Sequence, residues 1–150
     1  MSSKEPQQFE LVKTIGKTFK MLTMTLRDEM KAKGLNITRQ QGMLLRRLNI
    51  QSGIIQNELA WITERDKTSL ARLITKMEKN GLVYRKVDEK DKRAKRVFIT
   101  EKGRILTEKI NKILSDLFLK FQRGLKENEI DITMNTLQTI QNNLDNDFEI

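Results

Sequence analysis

The chain contains no cysteine and no histidine. The first absence excludes disulfides, thiolate catalysis, thiol redox sensing and cysteine-based zinc sites. The second removes the usual general base, the commonest metal ligand and the ordinary pH switch. A carboxylate-only metal site would need clustered acids, and no such motif is present, so no metal or cofactor is expected and enzyme chemistry is disfavoured. Proline occurs once, at Pro6. No apolar run approaches the roughly 18 residues of a membrane span, and MSSKEPQQFE lacks the apolar core of a signal peptide. These absences predict a soluble, cytoplasmic protein with no membrane partner.

What is present is charge. The 150 residues suit one compact subunit. Of these 37% are hydrophobic and 33% charged, above the roughly 25% charged residues typical of soluble domains. Such an excess is common in long helices with solvated faces and in chains that share a core with a partner. The net charge is +9, unevenly spread: residues 65–109 hold 15 Lys/Arg against 7 Asp/Glu, or +8, whereas residues 1–64 carry +4 and residues 110–150 carry −3. A basic centre of this kind suits a surface that meets a polyanion.

Apolar spacing outlines the elements. Val12, Ile15, Phe19, Leu22, Leu26 and Met30 recur at steps of three and four, one stripe of a long helix, with Gly34 at its stop. Thr38 and Gln41 form a capping-box pattern that starts a second helix near residue 39. Ile55, Leu59 and Ile62 mark a short helix. The polar connector TERD follows, and its Asp66 is an N-cap for the next helix. That helix carries Leu70, Leu73, Ile74 and Met77 on one side and ends at Asn80-Gly81. Two helices joined by a short polar turn form a helix-turn-helix candidate. Residues 82–87 and 96–100 read as strands around a charged segment, a long hairpin or wing. Thr100 can cap a further helix, with apolar positions Leu106, Ile110, Ile113, Leu117 and Phe121, running to about residue 125. A last amphipathic stretch includes Ile130, Ile132, Leu137, Ile140 and Leu144.

The helix from Asp66 to Lys79 holds the candidate chemistry. Opposite its apolar side stand Thr68, Arg72, Thr75 and Lys79, flanked by Ser69 and Lys76, with no carboxylate on that face. A generic solvated helix would mix signs to gain pairs four residues apart. A helix entering the major groove instead needs cations for phosphates and guanine, and hydroxyls for base edges. Lys67, Thr68, Ser69, Arg72, Thr75 and Lys76 are the candidate contacts, Arg72 being the one whose planar fork matches guanine O6 and N7. Taken alone, the helix also fits a basic surface helix packed on a core.

Two stretches decide between these readings: LARLITKMEKNGLVYRK and DEKDKRAKRVFITEKG. With Leu59-Ala60, Gly81-Leu82-Val83, then Asp91, Arg93, Ala94 and Lys95 followed by Thr100, Glu101 and Gly103, the sequence resembles the MarR family of winged helix-turn-helix regulators over roughly residues 35–105. The wing signature at this distance from Gly81 is the specific part of the match. The arrangement lets Arg93, at the wing tip, enter a minor groove, whose negative potential attracts a guanidinium. Asp91 would hold that side chain by a charge-assisted hydrogen bond, and Lys92, Lys95 and Arg96 would meet phosphates. An exposed Asp91–Arg93 brace worth about 0–1 kcal/mol would not by itself explain six cations in this segment. Gln56 and Asn57 are either phosphate contacts or helix caps. Trp61 could line a cavity, pack beneath the first helix or sit at the edge of the core.

The resemblance implies a mainly α fold with a small β-hairpin wing (α+β). An N-terminal dimerisation helix (1–34) would lead into a winged helix-turn-helix lobe (35–100), and C-terminal dimerisation helices (101–150) would complete one compact subunit. It also implies a homodimer on double-stranded DNA, with a cleft where a small aromatic or anionic effector acts. Val12, Ile15, Phe19, Ile110, Ile113, Leu117, Phe118 and Phe121 are the candidate dimerisation positions. A two-fold dimer would read a palindromic operator with half-sites about 34–36 Å apart. A ligand favouring another spacing of the two lobes would weaken that binding. The expected function is a ligand-responsive transcriptional regulator, more often a repressor in this family. The alternatives are a non-specific architectural winged helix and a protein-interaction module.

Overall fold

The structure is a computed structural model that describes residues 7–60 and 66–146. Trp61, Ile62 and residues 63–65 of the connector lie outside the described residues. Element order is α1 (Gln7–Ala32), α2 (Arg39–Ile50), β1 (Ile54–Ile55), a short 3-10 turn (Gln56–Glu58), α3 (Lys67–Lys79), β2 (Val83–Val87), β3 (Lys95–Ile99), α4 (Glu101–Phe121) and α5 (Glu127–Asn146). The strands form one antiparallel sheet in the order β1-β3-β2. This is the mainly α, winged arrangement that the sequence implies.

Local chemistry sets the boundaries. At the start of α2 the Gln41 N–H donates to Thr38 Oγ1 at 3.3 Å while the Thr38 N–H donates to Gln41 Oε1 at 2.9 Å, a reciprocal cap. Asp66 caps α3 in one direction, its Oδ1 accepting the Ser69 N–H at 2.9 Å. Thr100 links two elements. Its hydroxyl donates to the Gly81 carbonyl at 2.7 Å and accepts the Gly103 N–H at 3.0 Å, which starts α4 beside the exit of α3. Gly103 is required there because a Cβ would overlap the Leu82 carbonyl oxygen and come within 2.7 Å of Ile99 Cγ1. Helix α4 ends at Phe121 rather than near residue 125. Gly124, at φ +83°, turns the chain, and the Lys126 N–H donates to Glu129 Oε2 at 2.8 Å to begin α5.

The chain divides into two compact units with the boundary between Ser115 and Asp116. The core of the first joins Leu44, Leu45 and Leu48 of α2, Leu59, and Leu70, Ile74 and Met77 of α3 to Val83 and Val97 of the sheet, all almost fully buried. Burying a Leu-sized side chain contributes about 1.5–3 kcal/mol, so this cluster is what holds α3 and the sheet together. Ile55 departs from the sequence expectation. It belongs to β1 rather than to a helix, paired with Arg96, because Ile54 and Ile55 complete the free edge of β3.

Two candidate dimerisation positions, Ile110 and Ile113, are buried within the first unit's own core. Leu117 is buried as well and Ile15 half-buried, whereas Val12, Phe19, Phe118 and Phe121 are exposed. In the second unit Phe118 and Phe121 meet edge to face, ring centroids 5.8 Å apart, and Ile132, Met134 and Leu144 of α5 are exposed. Among the described residues no helix is long and apolar enough to cross a membrane.

Candidate nucleic-acid interface

Helix α3 buries Leu70, Ile74 and Met77 and presents Lys67, Thr68, Arg72, Thr75 and Lys76 to solvent. The apolar stripe fixes the rotation of the helix, so the polar face is a consequence of core packing. Among the described residues the side chains of Lys67, Thr68, Arg72 and Lys76 make no hydrogen bond or ion pair within the chain. The two remaining hydroxyls are in use. Ser69 Oγ donates to Asp66 Oδ2 at 2.7 Å, and Thr75 Oγ1 donates to the Ala71 carbonyl at 2.9 Å. Both keep acceptor capacity, but neither is a free donor. The hydrogen bonds from Ser69 hold the Asp66 carboxyl below its ordinary pKa of 3.8, so the helix start stays negatively charged at neutral pH.

Two acids of this region, Glu78 and Asp88, occupy particular cations. Glu78, at the inner edge of α3, takes the Arg85 fork: Nη2 donates to Oε2 at 2.6 Å and Nε to the same oxygen at 3.1 Å, while the Arg85 backbone N–H reaches Oε1 at 3.0 Å. Arg85 Nη2 also reaches Thr75 Oγ1 at 3.2 Å. This double contact ties α3 to β2, and the Arg85 hydrogen bonds hold the Glu78 carboxyl below its ordinary value of 4.5.

The wing between β2 and β3 is folded around two aspartates. Asp91 Oδ1 accepts the Arg93 backbone N–H at 2.9 Å. The expected grip of Asp91 on the Arg93 guanidinium is therefore absent. A spacing of two residues in a turn brings the carboxylate to the backbone donor first, which leaves the Arg93 side chain exposed and unpaired. Arg96, expected at a phosphate, is occupied instead. It donates to Asp88 through Nε and to the Gly53 carbonyl through Nη1 at 2.7 Å. Lys92 and Lys95 remain exposed, with no ion pair.

A groove of about 300 Å³ lies between the 3-10 turn, α3 and the wing, but no predicted recognition-helix residue lines it. Gln56 and Asn57 line it from the 3-10 turn, Ala71 from α3, and Arg93, Ala94 and Lys95 from the wing, with Arg85 also lining it. Neither the Gln56 nor the Asn57 side chain makes a capping hydrogen bond among the described residues, and Gln56 Oε1 is buried without a partner. Sequence reasoning missed Glu78, Arg85 and Asp88 as organisers of the site. For Asp88 the signal lies in the hairpin register, which sets Val87 opposite Lys95 and so brings Asp88 near Arg96. Chemically, the surface offers free cations from two elements and side-chain amides from a third. The described residues hold no acidic cluster able to bind a metal.

Comparison with known proteins bears on this surface. The sequence model of the MarR family matches residues 37–95. An uncharacterised HTH-type transcriptional regulator of Bacillus subtilis, YybA, is 42% identical over 72 residues; the match covers 48% of this chain and about half (48%) of the length of that relative. The structure of the transcriptional regulator SlyA superposes with a TM-score of 0.77 at 30% identity, covering 93% of this chain and 96% of the other. A candidate MarR-family regulator of Listeria monocytogenes, solved in complex with a 26mer DNA, superposes with a TM-score of 0.76 at 31% identity over 91% of this chain and 89% of its own.

Proposed function

The chain belongs to the MarR family, and from that premise we propose that it is a homodimeric, sequence-specific DNA-binding transcriptional regulator. The observation that carries this reading is the sorting of cations. Glu78 and Asp88 take Arg85 and Arg96 for the scaffold, while Lys67, Arg72, Lys76, Lys92, Arg93 and Lys95 stand exposed with no ion pair. Six unneutralised cations on a protein surface repel one another, and a polyanion relieves that repulsion with release of its counterions. The DNA-bound Listeria neighbour, which has the same fold, supports the same reading.

In this reading α3 lies in the major groove with Thr68 and Arg72 toward base edges, Arg72 bonding a guanine through both arms of its fork. Lys67 and Lys76 meet phosphates, and the amides of Gln56 and Asn57 donate to the backbone beside them. The wing carries Arg93 into the adjacent minor groove. Exposed apolar positions on α1, α4 and α5, with Val12, Phe19, Phe118 and Phe121 among them, pair two copies so that their recognition helices meet a palindromic operator. A small aromatic or anionic effector that binds one lobe spacing better would shift the population away from the DNA-competent state and relieve repression.

Selection of bound duplexes from a random pool tests the proposal. The expected product is an inverted repeat with centres one helical turn apart. Arg72→Ala should then cost about 1–3 kcal/mol of discrimination at one guanine in each half-site. Recovery of unrelated duplexes, with affinity that depends steeply on salt but not on sequence, would replace this reading with a non-specific architectural role.

A further inference from the structure

We propose that Asp88 is the positioning residue of the wing: without touching DNA, it sets where Arg93 and Lys95 stand relative to α3. The proposal rests on the reading of the wing as a DNA-contacting element.

Asp88 is only 4% exposed, so it cannot act as a surface group. Its two oxygens divide their work. Oδ1 accepts the N–H groups of Lys90 at 2.9 Å and Asp91 at 2.8 Å, which bends the chain at the start of the wing. Oδ2 accepts Arg96 Nε on the returning strand. Arg96 then reaches the Gly53 carbonyl, 43 residues back in sequence, at 2.7 Å. The Gly53 N–H closes the circuit on the Val97 carbonyl at 2.9 Å.

One buried carboxylate therefore connects the outgoing and returning arms of the wing and, through Arg96, the segment before β1. The Gly53 end calls for glycine. Gly53 has φ +79°, and a Cβ there would lie 2.8 Å from Phe98 Cε1, so no other residue fits without displacing the ring. Beyond this anchor the tip is held by the Asp88 N–H to the Ala94 carbonyl, the Ala94 N–H to the Asp91 carbonyl and the Arg93 N–H to Asp91 Oδ1, all 2.9 Å. A guanidinium that must enter a narrow groove at a fixed distance from α3 depends on the orientation of its base, because a small rotation there moves the tip by ångströms.

The test compares Asp88→Ala, Asp88→Asn, Arg93→Ala and the double variant Asp88→Ala/Arg93→Ala in the full chain. Binding is measured to a duplex selected from a random pool and to an unselected duplex, and amide hydrogen exchange is followed in the free protein. Asp88→Ala should speed exchange at Lys90, Asp91 and Ala94 while leaving the α3 amides protected. It should also lower affinity for the selected duplex at least tenfold. Asp88→Asn keeps an acceptor for the turn but loses the charged partner of Arg96, and should fall in between. In the Arg93→Ala background, Asp88→Ala should cost less than twofold more, the non-additivity expected when one residue acts through the other. A purely structural role predicts instead that the two losses multiply. Unchanged wing exchange in Asp88→Ala, or multiplying losses, would overturn the proposal whatever the DNA result. Loosened wing amides in a chain that does not distinguish the two duplexes would instead sink the DNA-contacting reading of the wing, and the positioning role with it.

Discussion

The winged part of the chain and its terminal helices are built from similar material and end in opposite states. Both carry apolar residues at steps of three and four. Between α2 and β3 those residues vanish inside, with Leu44, Leu45, Leu48, Leu70, Ile74 and Met77 showing no exposure. In α1, Val12 is 69% and Phe19 56% exposed, and in α5 Met134 is 64% exposed. Ion pairs divide the same way. Glu78–Arg85 and Asp88–Arg96 fasten the winged part, whereas the ion pair within α1, Arg27–Asp28 at 3.7 Å, joins sequence neighbours on an open surface. The lesson is that one region is finished within the chain while the other presents a surface that a single copy leaves in water. Isolated exposed apolar residues are ordinary. A run of them along both ends of the chain is the surface that the proposed pairing of two copies would cover.

The comparison is broken most severely at Leu45. Replacing this fully buried side chain by alanine should destabilise the chain by about 2–5 kcal/mol, transfer and cavity terms together. Urea titration followed by circular dichroism measures it. A loss below about 1 kcal/mol would mean that the α2–α3 packing is not the centre of stability. The counterpart on the other side is the pair Phe19→Asp and Phe118→Asp. Neither side chain is buried, so subunit helicity should persist, while sedimentation should show the mass falling from two copies to one and affinity for an inverted repeat dropping at least tenfold. A wild-type chain that sediments as one copy at micromolar concentration would undo the contrast.

How much of this was legible in the sequence follows the range of the interactions. Caps are local, so Thr38, Asp66 and Thr100 were readable, as were the turns at Gly34 and Gly81, both with positive φ. The hairpin was readable from its β-branched and aromatic residues. Strand β1 was not, because two residues carry no periodicity and exist as a strand only through pairing with Arg96 and Val97. The candidate site divides likewise. The outward face of α3 follows from the position of its apolar stripe. Which arginines stay free does not, since spacing along the chain suggests Asp91 for Arg93, whereas the hairpin register delivers Asp88 to Arg96. Ile110 and Ile113 show the same limit. Their helical spacing is equally compatible with an inner core and an outer interface, and only the packed structure assigns them to the former.

The fastening of α3 to β2 offers a gentler probe. Glu78→Gln keeps the shape of the side chain and removes its charge, which leaves Arg85 with neutral acceptors. Both partners are partly solvated, at 34% and 20% side-chain exposure, so water offsets much of the loss. A cost of about 1 kcal/mol is expected. Binding to non-selected duplex should rise at the same time, because Arg85 lines the same groove as Arg93 and Lys95 and joins the free cations once released. Thermal unfolding and low-salt titration read the two effects separately, and a fall in both would show that Glu78 shapes α3 rather than holding Arg85 back.

Acid should act selectively on the same boundary. Asp66, Glu78 and Asp88 are held below their ordinary pKa values, by Ser69, by Arg85, and by the Asp91 N–H together with Arg96, respectively. A carboxyl whose folded pKa is lowered contributes stability that is fully present above its unfolded value, near 4, and is lost as pH falls through the folded value. All three groups lie in α3 and the wing or at their margins. Between neutral pH and about 5 the melting temperature should therefore stay flat as far as these groups are concerned. Below about pH 4 the amides of α3, β2 and the wing should lose protection ahead of those in α5. Exchange measured along a pH series resolves the order, and Asp88→Asn should flatten the acid response of the wing amides alone. Simultaneous loss in α5 and the wing would mean that the two regions unfold as one, and that the difference in how they are fastened does not carry over into stability.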